Sequence, residues 1–188
     1  MPRLILLNGA PGTGKSTLAH LYAQRHPLCL ALDLDVLRGM IGGWLDRPVE
    51  AGTLARDAAI GVVRGHLRAG HDVIVPQFLG RPDFVLRLAE VADEVGAPFV
   101  EVALLADAHD VRARFASRTA PGVVQPHPTH LDAAALLERS GGLEALGSMQ
   151  AGLLDVVASR PATRTIDVVE GEVERAYAAL VDHVEALG

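Results

Sequence analysis

Hydrophobic residues along this chain fall into blocks of two kinds, which alternate. Residues 3–8 read RLILLN, an apolar run without alternation, as a parallel strand buried on both faces requires. From 15 to 25 the spacing turns helical, with Leu18, Leu21 and Tyr22 on one side. A second apolar run at 28–34 precedes a short helical piece at 36–44, and Arg47-Pro48 marks a break. A longer helix is predicted over 51–69 with Gly70 stopping it, and a third strand over 71–75. Pro82 and Asp83 open a helix with Phe84, Leu88, Val91, Ala92 and Val95 at helical spacing, ended by Gly96 and Pro98. A fourth strand is predicted at 99–105, and Asp107 can cap a helix over 108–118. Residues 119–130 hold three prolines, a glycine and two histidines, and read as an irregular exposed loop. Two helical segments split near Gly141-Gly142 follow, then a fifth strand at 163–168. The last helix starts near Val173 and sets Ala176, Tyr177, Leu180, Val181 and Val184 on one face.

Strands alternating with helices predict an α/β fold with a parallel sheet and helices on both faces. Ligands of such sheets sit at the carboxyl ends of the strands, so the loops there are the place to look for chemistry. Composition narrows the picture. At 188 residues and 49% apolar, the chain suits one domain over 1–188 and is too apolar to be disordered. No apolar stretch approaches the roughly 20 residues that a bilayer demands, so no membrane association is expected. The run at 4–7 is too short for a signal h-region, and Cys29 stands alone; both lead to the expectation of a reducing cytoplasm. A net charge of −6 argues against bulk nucleic-acid binding, although not against a local basic cleft.

Of the 17 basic residues 16 are arginine, and Lys15 is the one lysine. A compact ammonium kept where every other cation is a planar guanidinium marks a position where arginine does not serve. Its surroundings explain why. Gly9-Ala10-Pro11-Gly12-Thr13-Gly14-Lys15-Ser16 fits GxxxxGK[ST] at every fixed position, between the first strand and the first helix. Glycines let successive backbone amides turn inward around an anion, and the helix start adds its positive end. Lys15 would reach the β- and γ-phosphates of a nucleotide, and Ser16 would offer a hydroxyl to Mg²⁺; Thr17 completes the nucleotide-binding stretch. ATP and Mg²⁺ are the expected ligands.

GAPGTGKST, followed by a strand that ends in Asp33-Leu34-Asp35-Val36-Leu37-Arg38, resembles the small P-loop kinases. These include phage-type polynucleotide kinases, chloramphenicol phosphotransferase, zeta toxins, gluconate and shikimate kinases, and adenylate kinase. The local match is nearest to the polynucleotide kinase domain, where a strand-end Asp-x-x-Arg follows the cradle at similar spacing. The resemblance is good over the first forty residues and returns weakly at 114–118. It implies a three-layer P-loop NTPase fold, a five-stranded parallel sheet with helices on both faces and a small lid. It also implies a kinase with an alcohol acceptor, in which Asp35 orients or deprotonates the attacking hydroxyl and Arg38 helps hold the acceptor or its phosphate. Asp33 would bind magnesium, bind the acceptor or support Asp35. Arg114 would lie against adenine or a phosphate, Arg118 would reach the transferring phosphoryl group, and 119–130 would close as the lid.

One departure stands out. The third strand reads HDVIVPQF, so the strand-end aspartate that holds the metal's water in many P-loop proteins is replaced by Gln77. Gln77 could hydrogen-bond an acceptor hydroxyl or a metal-bound water, but it brings no charge. Asp33 or Asp35 would supply the missing charge, or the metal would rely on Ser16 and phosphate oxygens. Trp44 is either an aromatic wall for a ring-bearing acceptor or a plug on the core, and Phe78 is equally open. His127 and His130 have no third ligand nearby in sequence and are not taken as a metal site. The acidic balance ranks a small-molecule acceptor (nucleoside, sugar or antibiotic) first and a polynucleotide 5′-hydroxyl second. A regulatory, switch-type ATPase is the rival class.

Overall fold

The computed structural model describes residues 1–107 and 141–186. The helix expected over 108–118, the lid at 119–130, and Arg114, Arg118, His127 and His130 lie outside the described residues. In chain order the elements are β1 (Leu4–Gly9), α1 (Lys15–Arg25), β2 (Leu30–Ala31), α2 (Leu34–Gly39), α3 (Pro48–Arg68), β3 (Val73–Pro76), α4 (Asp83–Glu94), β4 (Phe99–Leu105), α5 (Ala145–Ser159), β5 (Arg164–Asp167) and α6 (Val173–Glu185). A single 3₁₀ turn, Gly142–Glu144, leads into α5.

The five strands form one sheet in the order β2-β3-β1-β4-β5, and every pairing is parallel. β1 is central and buried at all six positions, as its unbroken apolar run requires. Alternate β1 residues serve opposite faces. Leu4 and Leu6 pack with Val73, Val75 and the apolar stripes of α3 and α4, among them Val63, Leu67, Val85 and Leu88. Ile5 and Leu7 pack with Val102, Leu104 and Ile166 against Leu18 and Tyr22 of α1 and Leu180 and Val184 of α6. Helices therefore cover both faces, as the α/β reading expects. Among the described residues no helix is long and apolar enough to cross a membrane.

Several element boundaries differ from those read in the sequence, three of them for a local reason. The second strand is two residues long, because Leu28 takes a left-handed conformation (φ 64°) and Asp33 already caps the next helix. The short helix ends at Gly39 and not near Trp44; beyond it the chain turns through Gly42-Gly43, with Gly43 at φ 69°. Pro48 begins α3 and does not interrupt it. Proline at the first helical position loses no intrahelical bond, so the break signal was a start signal.

Candidate active site

The order of the sheet puts the turn after β1 between the loops that follow β3 and β4, at the carboxyl edge. That turn is the cradle. The Ala10 carbonyl accepts the Thr13 amide (3.3 Å), the Thr13 hydroxyl (2.9 Å) and the Lys15 ammonium (2.9 Å), which closes it on itself. Gly12 and Gly14 have φ of 90° and 89°, which glycine takes without strain. A Cβ on Gly9 would stand 2.7 Å from Thr13 Oγ1 and 3.1 Å from the Leu104 carbonyl, so only glycine fits there. Gly14 is the N-cap of α1 and brings no side-chain cap, so the helix start is set for an external anion.

The acidic helix lies directly beside this cradle. Asp33 caps α2 through Oδ1, which accepts the Asp35 amide at 2.8 Å, and its Oδ2 accepts the Ser16 hydroxyl at 3.2 Å. Asp33 is therefore the cap of α2, and through that bond it also supports Asp35. Its second oxygen stands next to the hydroxyl that the motif assigns to a metal. A hydroxyl and a carboxylate oxygen side by side form the hard-oxygen pair that Mg²⁺ takes, completed by water and phosphate oxygens. Among the described residues no group of three or more His, Cys, Asp or Glu side chains could hold a metal. The donor set therefore fits an ion that is shared with a nucleotide, not one caged by protein.

Asp35, in the first turn of α2, pairs with Arg38 Nη2 at 3.0 Å. Burial pushes the Asp35 carboxyl above its ordinary value; Arg38 pulls it down, Asp33 adds to the rise and Lys15 opposes it. Arg38 in turn lies over Trp44, its guanidinium carbon 5.0 Å from the ring centroid. Trp44 is 9% exposed, so it is the buried plug and not an open aromatic wall. Arg38 Nε is buried and has no hydrogen-bond partner.

Gln77 follows β3, its amide still donating to the Leu7 carbonyl at 3.0 Å, and its Oε1 is buried without a partner. The loop that carries it is fixed by Asn8, the residue just before the cradle, which is 4% exposed. Asn8 Oδ1 accepts the amides of Gly9 and Leu79 at 2.8 Å each, and its Nδ2 donates to the Leu79 carbonyl at 3.0 Å. One carboxamide thus ties the cradle to the Gln77 loop. The sequence reading missed Asn8; its signal was a polar residue that closes an otherwise apolar strand. A Cβ on Gly152 of α5 would lie 3.2 Å from the Gly80 carbonyl, so α5 bears closely on the same loop. Phe78 is half-buried, its ring near Gly80.

On the other side of the cradle an open cleft lies between Gly12, Thr17 and Leu104 and the loop after β5, where Val168 and Val173 line it beside Glu170 and Glu172. Its walls are largely aliphatic, and it borders the start of α1. Ser16, Lys15, Asp33 and Asp35 thus converge on one side of the cradle and this apolar cleft opens on the other; Arg114 and Arg118 are outside the described residues.

A parallel five-stranded sheet with a glycine cradle after its central strand has the fold of the P-loop kinases. A family model described as an AAA domain matches residues 4–146, and the chain belongs to that family. No curated protein matches the sequence. The chain is similar in structure to a gluconokinase from Sinorhizobium meliloti, at a TM-score of 0.62 and 19% identity over 99% of this chain and 95% of that one. A protein proposed to be a kinase, from Chloroflexus aurantiacus, gives 0.65 at 17% identity, covering 100% and 98%. The tunicamycin resistance protein of Deinococcus radiodurans gives 0.61 at 17% identity, covering 98% and 96%. At these identities the likeness is one of fold.

Proposed function

We propose that this protein is a cytoplasmic kinase that moves the γ-phosphate of ATP to a hydroxyl group of a small molecule. The observation that carries the reading is the junction of cradle and acidic helix: Ser16 is bonded to Asp33, and Asp35 stands within the electrostatic reach of Lys15. A site built only to bind nucleotide needs no half-buried carboxylate at that point.

The cradle amides and Lys15 hold the phosphates, and the aliphatic cleft between Leu104 and Val173 seats the adenine. Mg²⁺, when bound, neutralises charge on the phosphate oxygens; Ser16 would hold it directly and Asp33 through its water. Asp35 accepts the proton of the attacking hydroxyl. Its raised pKa suits that task, because a base whose pKa lies nearer the operating pH takes up a proton more readily. Gln77 Oε1 offers an unused acceptor, and rotation about the soft terminal torsion of its side chain would turn it to a second acceptor hydroxyl. Arg114 and Arg118 would close over the nucleotide and stabilise the charge on the transferring group, with 119–130 as the lid.

The reading is tested by incubating the protein with γ-labelled ATP and nucleosides, sugars, aminoglycosides, other antibiotics or 5′-hydroxyl oligonucleotides. Label should appear on one small-molecule class, at a rate well above phosphate release to water. Label on the oligonucleotide alone would replace the acceptor class. Release of phosphate without transfer to any acceptor would establish the rival ATPase.

A further inference from the structure

The loop that carries Gln77 hangs on one side chain. The ladder between β1 and β3 runs to Leu7 and Pro76, and the next bond is the Gln77 amide donating to the Leu7 carbonyl at 3.0 Å. One residue further along β1, backbone pairing gives way to the Asn8 carboxamide. Its Oδ1 accepts the Leu79 amide at 2.8 Å and its Nδ2 donates to the Leu79 carbonyl at 3.0 Å. Among the described residues, residues 78–80 make no other hydrogen bond. A carboxamide presents a donor and an acceptor in one plane, as a peptide group does, so Asn8 adds one more rung to the ladder. Gln77 lies between the Leu7 rung and the Asn8 rung, and the two together set where it stands.

The same oxygen is shared with the cradle. Asn8 Oδ1 also accepts the amide of Gly9, the first residue of the phosphate-binding turn, at 2.8 Å. Both of these bonds are buried, and a buried amide that loses its acceptor is costly, so the two donors stay on Asn8 and shift together. The start of the turn is also where a phosphate acts. The Lys15 ammonium donates to the Ala10 carbonyl at 2.9 Å, and a nucleotide's phosphates would draw it away from there. The first peptides of the turn then settle against the phosphate, and the oxygen shared by Gly9 and Leu79 carries that change to the loop.

Resting on the proposed function, we infer that Asn8 is a positioning residue that couples the two halves of the site: phosphates in the cradle tighten the joint between Asn8 and Leu79, and so fix Gln77 for the acceptor. Asn8 acts through Gly9 and Leu79. The loop is held most firmly when a phosphoryl donor is in place.

Amide hydrogen exchange tests this in the unaltered protein. Exchange is followed residue by residue by NMR, with and without the magnesium complex of AMP-PNP, a nonhydrolysable ATP analogue. The amides of 12–16 should slow, and Leu79 should slow with them by at least about tenfold. Val73, whose amide donates to the Arg3 carbonyl at the other end of β3, marks opening of the whole sheet. A Leu79 amide that exchanges equally with and without the analogue overturns the inference. So does one that opens only together with Val73, because the joint is then a static brace.

Asn8→Ser assigns the coupling to this side chain. A hydroxyl on a shorter stem cannot reach Gly9 and Leu79 at once while donating to the Leu79 carbonyl. The slowing at Leu79 should fall below about threefold, while that at 12–16 remains. Asn8→Thr, β-branched and suited to a strand, carries the same expectation if the serine variant does not fold. Slowing at Leu79 that survives intact in either variant would mean that the nucleotide holds the loop through Gln77, and Asn8 would not be the joint. Coupling at Leu79 with no label on any acceptor would leave the inference standing and remove the kinase reading. Label on an acceptor with Leu79 unmoved would do the reverse, so the two fail separately.

Discussion

Both ends of the sheet carry a carboxylate among polar partners, yet the two are built to opposite standards. At the amino end Asp72, just before β3, accepts the Arg3 amide at 2.8 Å and the Tyr22 hydroxyl at 3.3 Å, and faces the Arg3 guanidinium at 4.0 Å. At the carboxyl end Asp35 has Arg38, but burial and Asp33 still push its pKa up. The two buried side-chain atoms without partners among the described residues, Arg38 Nε and Gln77 Oε1, are also on this edge. Complete partnering holds strands and helices together. Incomplete partnering costs stability and leaves groups poised for a ligand, which is why strain and orphaned polar atoms collect where chemistry is placed. Substitutions at the carboxyl end should therefore cost activity and little stability, and those deeper in the sheet the reverse.

The sharpest form of this contrast is Lys15→Met. Removing the ammonium from the cradle should lower kcat/KM by at least about a thousandfold, while the melting temperature stays within about 2 °C. Steady-state kinetics beside calorimetry would show it, and near-normal turnover would take the cradle out of the mechanism. Asp35→Asn should come next, with a loss of about a hundredfold or more in kcat and a change in ATP affinity below about threefold. Its effect on stability has a definite sign. A carboxyl whose pKa is raised by folding is protonated more readily in the native state than in the unfolded chain, so its ionised form at neutral pH works against the fold. Asp35→Asn should thus be as stable as the parent at pH 7 or more so, by urea denaturation. Marked destabilisation would place Asp35 with the structural carboxylates.

Glu101→Gln should invert the pattern. Glu101 lies inside β4, 6% exposed, and holds Arg160 of the α5 C-terminus, one contact being Arg160 Nε to Oε2 at 2.6 Å, with the Thr163 hydroxyl at 3.3 Å. It fastens α5 and the start of β5 to the sheet. Breaking a buried pair on one side leaves an uncompensated charge, so the loss should be about 3 kcal/mol. Turnover per folded molecule should be unchanged, because no reacting group is near this pair in the proposed mechanism.

These two ends were not equally legible in the sequence. The cradle spans nine consecutive residues whose conformation is local, and residue types alone carry it. The helices α4 and α6 and the strand β4 declare themselves by periodicity. Asn8 bonds a residue 71 positions away and Arg160 one 59 positions away, so nothing in their neighbourhoods announces either contact. Trp44 could be read two ways until burial and the Arg38 stack were known, because a lone tryptophan after two glycines has no periodicity to assign it. Asp33 and Asp35 were legible as a pair but not in their division of labour. That division is set by α2 starting at Leu34, which makes one aspartate the cap and leaves the other inside the first turn.

The smallest effect tests the amino end itself. Tyr22 is fully buried, stacked on His26 with ring centroids 3.8 Å apart, and its hydroxyl donates to Asp72. Tyr22→Phe keeps the ring and removes one long hydrogen bond, and Asp72 retains Arg3; the loss at pH 7 should be about 1 kcal/mol, with kinetics unaltered. The pH dependence carries the sign. Burial and the nearby Asp72 charge raise the Tyr22 pKa above its ordinary 10.0, so above that pH the unfolded chain sheds the phenolic proton and the folded one keeps it. Stability then falls as pH rises, since the native state binds more protons. Cys29, its thiol pushed up to about 12 by burial and by Asp72, adds a fall of the same sign to parent and variant alike. The difference between the two proteins should therefore narrow between pH 7 and about pH 10.5, by urea denaturation, and pass through zero as the parent alone bears the phenolic term. A gap that stays constant with pH would mean that the Tyr22 hydroxyl is not held in the protonated form by its surroundings, and that the amino end is no better partnered than the carboxyl end.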